Sequence, residues 1–383
     1  MNRSLGAYIH IPFCASRCGY CDFNTYTASE LTRDGSSVNV SNYVDRVILE
    51  IDRQHNEFGH DGRPLETIFF GGGTPTLLGS SELVRALNYL VAKFGITKNA
   101  EVTTEVNPDS VNAQDLKILR EGGFTRVSFG HQSSATHVLN LLERTHTPGR
   151  TWEAVNWATD AGFSHISVDL IYGSPNETEQ DLLNTLSEVT NANLDHVSAY
   201  SLIVEPGTKL AGQVKRGEVA KPSDDVAAAR YELIDQVLSN AGFNWYEISN
   251  WAKPGGECQH NINYWTNQDW LGIGPGAHAH MDGLRSWMTK HPAAWASQVD
   301  AKIAPIAGSE RLSDLEVANE NIMLGLRLSS GISVDVLSSE AVEQAKLAVS
   351  EGLLNAEQFA NGRLVLTDPG RLLADGLVSR LWN

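Results

Sequence analysis

Cysteine is scarce in this chain: there are four in 383 residues, and three of them stand together at positions 14, 18 and 21. The evenly spread cysteines of a disulfide-stapled secreted fold are missing. Basic residues are also short, with 29 Lys and Arg against 46 Asp and Glu and a net charge of −17. A surface of that sign repels nucleic-acid phosphate and anionic lipid, which excludes both as general partners. No apolar run approaches the ~18 residues of a membrane span. No low-complexity tract interrupts the chain, and the only internal repetition is the strand–helix pattern described below. Only a handful of residues precede the cysteine cluster, too few for a cleaved targeting segment, so the cytoplasm is the expected compartment. Neighbouring thiols stay reduced there.

What remains is ordinary for a globular protein: 42% hydrophobic and 20% charged residues. The length implies one large domain and a smaller one. The chain centres on Tyr8–Phe23, YIHIPFCASRCGYCDF, in which Cys14, Cys18 and Cys21 form a Cys-x3-Cys-x2-Cys run after a short apolar stretch. Thiols at that density read as a metal loop at the end of a strand. Three ligands suit a four-iron cluster with one iron left open. A structural zinc site with Cys258 or His260 as a distant fourth ligand is a second reading. A thioredoxin-like pair, Cys18-Gly-Tyr-Cys21, is a third, although it has no use for Cys14.

Beyond a polar stretch, Thr27–Asn42, strand-like and helical patterns alternate. Apolar β-rich runs centre on Tyr8, Thr67, Val102, Val127, Ile166 and Val197, with helices expected near 43–51, 113–121, 134–142, 150–161 and 179–189. This spacing predicts right-handed βαβ units around a parallel sheet, an α/β fold with its function at the C-terminal ends of the strands. Polar residues gather at those exits. Gly71-Gly72-Gly73-Thr74 follows the second run, and Glu105 closes the third. Gln132 follows the fourth and Asp169 lies within the fifth. Three glycines in a row predict a turn where backbone N–H groups approach a ligand that side chains would block. Further along stand Cys258-Gln-His260-Asn261-Ile-Asn-Tyr264-Trp265 and a Gly- and His-rich stretch, 272–280, expected to return to the same mouth. From about Ala307 the texture changes. Ser313-Asp-Leu-Glu316 is a capping box opening a helix, a second helix covers 341–351, a short strand 363–367, and a last helix 372–381. Residues 311–383 hold 6 basic and 10 acidic side chains, a balance that favours substrate cover or partner docking over DNA. The expected units are therefore 1–240, 241–306 and 307–383.

The cysteine run with an aromatic before its last member resembles the radical S-adenosylmethionine (SAM) superfamily. The longer string YIHIPFC…C.YC resembles its branch containing oxygen-independent coproporphyrinogen III oxidase and the haem chaperones. The resemblance implies an open (β/α)6 partial barrel of the TIM type and a winged-helix-like C-terminal domain. It also implies a [4Fe-4S] cluster on Cys14, Cys18 and Cys21, with SAM chelating the open iron. Cleavage of a C–S bond by one electron from such a cluster is the superfamily's chemistry. By the same resemblance Gly72, Gly73 and Thr74 contact the methionine end of SAM, and Glu105 and Asp169 make ribose or amino-acid contacts. Gln132 and Arg144 line the pocket, and Tyr8 lies beside the cluster loop. No residue is assigned a catalytic role.

Two features separate the branches. The oxidase carries a further cysteine two residues after the third, where this chain has Phe23, and a long N-terminal extension. His260-Asn261-x-x-Tyr264-Trp265 matches the His-Asn-x-x-Tyr-Trp motif of the chaperones, with His260 as an axial haem ligand or a shaper of the haem pocket, Asn261 orienting it, and two aromatics for a porphyrin face; a buried structural His-Asn pair with aromatic packing is the other reading of the same residues. The expectation is a haem chaperone that delivers haem to client haemoproteins, membrane-associated respiratory enzymes among them, with a homodimer as the assembly to test. Coproporphyrinogen turnover is expected to be absent. A true coproporphyrinogen oxidase and a radical SAM enzyme with an unrelated substrate stand as alternatives.

Overall fold

A computed structural model describes residues 3–33, 38–59, 62–145 and 147–382. Residues 34–37 of the polar stretch lie outside it. The six expected strands are all present: β1 (Leu5–Ile11), β2 (Leu65–Gly72), β3 (Ile96–Val106), β4 (Arg126–Gln132), β5 (His165–Tyr172) and β6 (His196–Ser201). They are parallel and lie side by side in chain order. The main crossover helices are α1 (Tyr43–Phe58), α2 (Ser80–Phe94), α3 (Ala113–Glu121), α4 (Arg150–Ala161) and α5 (Glu179–Asn191). Capping boxes fix the starts of α3 and α5 through Asn112/Asp115 and Thr178/Asp181, each cap worth roughly 0.5–2 kcal/mol.

Alternation along the strands sets the architecture. Ile9, Phe70, Val102, Val127, Phe129, Val168 and Val197 belong to the main hydrophobic core. The residues between them, including Tyr8, Phe69, Thr103, Glu105, Ser128, Asp169 and Ser198, line one cavity. All six strands reach that cavity, so the sheet curls around it, and polar side chains are set among apolar ones on its inner face.

After β6, helix α6 (Asp224–Asn240) leads to β7 (Asn244–Glu247) and β8 (Asn250–Ala252), which extend the sheet antiparallel beyond β6. A short helix α7 (Gln259–Trp265) precedes β9 (Asp269–Ile273), which returns to pair parallel with β1. Three antiparallel strands, β10 (His278–Met281), β11 (Leu284–Met288) and β12 (Ile306–Arg311), complete a 12-stranded sheet. Residues 241–306 thus extend the barrel at both edges of its sheet. The expected boundary at 307 shifts to about Ser313, because Ile306–Arg311 is held by backbone pairing to β11.

The C-terminal unit opens on the predicted capping box: Glu316 accepts from the Ser313 N–H at 2.8 Å. Helices α8 (Asp314–Gly325), α9 (Ser339–Ser350) and α10 (Ala374–Leu381) enclose a separate core around Ile322, Leu326, Ala345, Leu364 and Leu377. The expected strand 363–367 is reduced to Arg363–Leu364, paired antiparallel with Ile332–Ser333. Arg371 fastens this unit to the barrel. Buried at 4% exposure, it donates to both oxygens of Asp235 on α6 at 2.8 and 2.7 Å and lies over the Trp245 ring.

Candidate functional site

The cysteine loop leaves the C-terminal end of β1 and is tied to its surroundings on three sides. The glycine turn after β2 donates Gly73 N–H to Ile11 O at 2.8 Å and Thr74 N–H to Phe13 O at 2.7 Å. The segment after β4 accepts Gly19 N–H on Leu142 O at 3.1 Å. The segment after β6 donates Leu210 N–H to Gly19 O at 2.8 Å. Asn24, at the loop's far end, donates to Pro275 O and Lys290 O and accepts His10 Nε2 on its carbonyl, while Tyr8 Oη meets His10 Nδ1 at 3.0 Å.

This contact revises the expected role of the glycines. Their amides are not turned to a ligand: Gly72 N–H is spent on Glu105 at 3.0 Å, and the next two hold the cysteine loop. A Cβ on Gly73 would lie 2.4 Å from Phe13 O and 3.0 Å from Cys14 Sγ. Glycine is required there so that two backbones can meet beside the thiols.

Cys14, Cys18 and Cys21 are free, half-buried and on the wall of a cavity of about 590 Å³. Among the described residues no three His, Cys, Asp or Glu side chains converge on a point suited to a single metal ion. Cys258 and His260 sit at the opposite end of the barrel, so neither completes a site with this loop. The donor set, with its glycine cradle, fits a cluster with one open iron. Burial and the neighbouring Cys21 push the Cys14 thiol up to about 11, so a metal has to displace its proton.

The same cavity gathers the other predicted residues: Tyr8, Gly72, Gly73, Thr74, Glu105, Gln132, Arg144 and Asp169. Gln132 stands at φ +67, after an irregularity in the pairing of β4 with β5. Its side chain is thereby re-aimed at the strand exit. Arg144 donates to Gly130 O at 3.0 Å and reaches Cys18 Sγ at 3.7 Å. Asp169 accepts the Ser128 hydroxyl at 3.1 Å. Burial, and then the charge of Asp169, raise the Glu105 carboxyl to about 8, against the Gly72 amide and Arg144. Burial raises Asp169 as well, opposed by the Ser198 and Ser128 hydroxyls.

The His-Asn-x-x-Tyr-Trp segment is α7, and it closes the other end of the barrel, where the strands begin. Glu101 on β3 accepts the α7 amides of Gln259 and His260 at 3.1 and 2.9 Å, and Arg126 of β4 donates to Gly256 O and Glu257 O. His260 is 1% exposed, and both its ring nitrogens are engaged. Nδ1 meets Thr67 Oγ1 at 2.8 Å and Nε2 meets Tyr264 Oη at 2.9 Å, with the ring stacked on Phe69. Burial lowers this imidazole to about 4. Asn261 does not orient it; its amide donates to Tyr246 and Glu247 and accepts from Trp265. Trp265 is not part of the cavity wall and lies under Arg327 of the C-terminal unit. His260, Asn261 and Tyr264 touch the cavity from its floor. The Gly- and His-rich stretch backs the cysteine loop through Asn24, but His278 stacks on Trp287 and His280 bonds Gln268 O, both away from the cavity.

Comparison with known proteins follows this geometry. Residues 8–189 match the radical SAM superfamily and residues 312–373 the HemN C-terminal domain. A Mycobacterium tuberculosis (strain CDC 1551 / Oshkosh) protein named heme chaperone HemW is 44% identical over 99% of this chain and 95% of its own length. The chain belongs to the HemW family. The Escherichia coli (strain K12) heme chaperone HemW is 36% identical over 75% of this chain and 74% of its own. Among solved structures, the E. coli coproporphyrinogen III oxidase HemN, described as a radical SAM enzyme, superposes with a TM-score of 0.84. It covers 100% of this chain and 91% of its own at 23% identity, a likeness of fold alone. Membership in this family of radical SAM proteins implies a [4Fe-4S] cluster and SAM. No helix among the described residues is long and apolar enough to cross a membrane.

Ser128, Ser198 and Tyr200 also line the cavity, and the sequence reading passed them over. The signal was present: Thr103/Glu105, Ser167/Asp169 and Ser198/Tyr200 are spaced two apart in apolar strands, which puts each pair on one face.

Proposed function

We propose that this HemW-family protein binds haem and hands it to client haemoproteins, and that it carries a [4Fe-4S] cluster on Cys14, Cys18 and Cys21 with SAM beside it. The observation that carries this reading is the 44% identity, over 99% of the chain, to a protein named heme chaperone HemW. The cavity supports the cofactor half, because three free thiols and the Glu105, Gln132, Arg144 and Asp169 side chains share its wall. Once bound, a cluster with an open iron supplies a chelation point for SAM and a one-electron donor. The chain's own part is to hold the loop against the glycine turn, to offer hydrogen-bond acceptors on Glu105 and Asp169, and to keep the chamber closed from below with α7.

Phe23 favours a chaperone over an oxidase. It is 63% exposed at the cavity mouth, at the position where the resembling oxidases carry an extra cysteine. His260, Asn261, Tyr264 and Trp265 enter the haem half of the proposal with a condition. Ligation by His260 requires Thr67 or Tyr264 to surrender its bond to a ring nitrogen, so haem uptake through this motif means opening the barrel floor. The clients are haemoproteins, with membrane-associated respiratory enzymes as the first to try; the working compartment is the cytoplasm, and self-association into a homodimer belongs to the same proposal.

Reconstituted protein given haem in one cuvette, and coproporphyrinogen III with SAM in another, tests the reading. A stoichiometric Soret band without decarboxylation is expected. Decarboxylation without haem uptake would install the oxidase reading instead.

A further inference from the structure

Asn24 stands three residues after Cys21, where the cysteine loop returns to the barrel. Phe13–Cys14 pairs in parallel with Tyr26–Thr27, and Tyr26 N–H donates to Pro12 O at 2.7 Å. Residues 15–25 are thereby closed into a loop that carries Cys18 and Cys21, with Cys14 in its neck. The contacts from the ends of β2, β4 and β6 hold the outgoing side of that neck and the middle of the loop. The returning side is held from elsewhere. Its anchor is the turn 274–276 between β9 and β10, together with the residues that follow β11. Gly276 N–H donates to Thr289 O at 3.1 Å and Met288 N–H to Ala277 O at 2.8 Å, which brings the two segments together. The two N–H groups of the Asn24 carboxamide diverge, and they meet Pro275 O at 3.0 Å and Lys290 O at 2.8 Å, one from each segment. Asn24 Oδ1 accepts the Tyr26 hydroxyl at 3.2 Å, and its main-chain carbonyl accepts from His10 Nε2 at 2.9 Å. An aspartate has the same shape but only acceptors when ionised. Gly276 stands at φ +75, and a Cβ there would lie 2.6 Å from Asn24 Nδ2. Glycine on the far side lets the contact close.

We propose that Asn24 is a positioning residue for the cluster, and that the turn 274–276, outside the barrel's parallel strands β1 to β6, sets through it where the thiols of the loop stand. This inference rests on the cluster reading above. The carboxamide touches no cysteine; it acts by fixing the returning side of the neck against a rigid neighbour. A bound cluster loses iron when its loop opens, so the rate of loss follows the population of the open loop. A neutral hydrogen bond is worth about twofold to tenfold in such an equilibrium, and the two from Asn24 together about fivefold to a hundredfold.

The test is anaerobic reconstitution of the full chain and its variants, followed by iron release to a chelator and by electron paramagnetic resonance of the reduced cluster. Asn24→Ala should speed release about fivefold to a hundredfold and alter the resonance signal. Asn24→Asp, isosteric but without the donors, should be at least as fast, since it turns a carboxylate on two carbonyls. Gly276→Ala should speed release as well. Added to Asn24→Ala it should change release by less than about twofold, because the amide it displaces is already gone. Leu377→Ala, in the separate core of the C-terminal unit, should lower the urea midpoint yet leave release and signal as in the wild type, which separates positioning from a general loss of stability. Gly276→Ala carries the test if neither Asn24 variant folds. Wild-type release and signal in Asn24→Asp, an additive double variant, or an equal rise in Leu377→Ala overturns the inference and leaves the cluster reading standing. A wild-type chain that takes up no iron and sulfide would remove the cluster reading and this inference together.

Discussion

Replacing His260 with Ala tests whether α7 is a floor of the barrel or an exposed haem surface. The imidazole is 1% exposed, bonded at both nitrogens, stacked on Phe69 and met edge-on by Tyr264. Its removal leaves the enclosed Tyr264 hydroxyl without its partner, at about 1–3 kcal/mol. It also opens a void whose cost adds to that, giving about 3–5 kcal/mol in all. That is a large share of the 5–15 kcal/mol typical of a folded domain. A pH signature separates this from a generic core defect. The imidazole falls to about 4 in the folded protein from an ordinary 6.5, so it stays neutral when folded and takes up a proton on unfolding. Its contribution is complete above pH 6.5 and is lost as pH falls toward 4, by roughly 3 kcal/mol over that window. Urea unfolding of wild type and variant at pH 7.5, 6, 5 and 4.5 measures both quantities. The gap between the two proteins should be wide at pH 7.5 and narrow toward pH 4.5. An unchanged midpoint at pH 7.5 together with a lost Soret band would refute the floor assignment and make His260 a haem ligand held loosely at a surface.

Three further outcomes are expected. Cys14→Ser, Cys18→Ser and Cys21→Ser should each abolish the cluster's broad visible absorption after anaerobic reconstitution, whereas Cys258→Ser, buried against Glu101, should keep its iron and sulfide. Gly73→Ala should displace the cysteine loop, because the new methyl meets the Phe13 carbonyl; iron content should fall while far-UV circular dichroism stays near wild type, and full reconstitution would refute the cradle. Glu105→Ala should weaken SAM about tenfold or somewhat more in equilibrium dialysis without loss of iron, as befits a charged hydrogen-bond partner worth ~1.5–3 kcal/mol; unchanged affinity would return Glu105 to a purely structural role.

Local chemistry made much of this protein legible from its sequence. The three cysteines lie seven residues apart end to end, and any chain path across so short a span keeps them neighbours. The six strands announce themselves by apolar runs, and parallel pairing in chain order follows from the helices between them. The Ser313 capping box closes within one turn and needs no tertiary help. Glu105, next to last in β3, and Asp169, within β5, both line the cavity, because alternate residues of each strand face the interior of a parallel barrel. What the sequence did not disclose depends on contacts between distant segments. Gly73 reads as a turn residue until the cysteine loop is seen 2.4 Å from where its Cβ would be. His260 has the look of a ligand until Thr67, 193 positions away, takes one nitrogen and the fold puts α7 at the strand starts. Two carboxyls 64 positions apart came to line one chamber, together with Arg144, only when β3 and β5 curled around it. Local spacing determined which residues the site would use; closure of the barrel decided which end each of them serves.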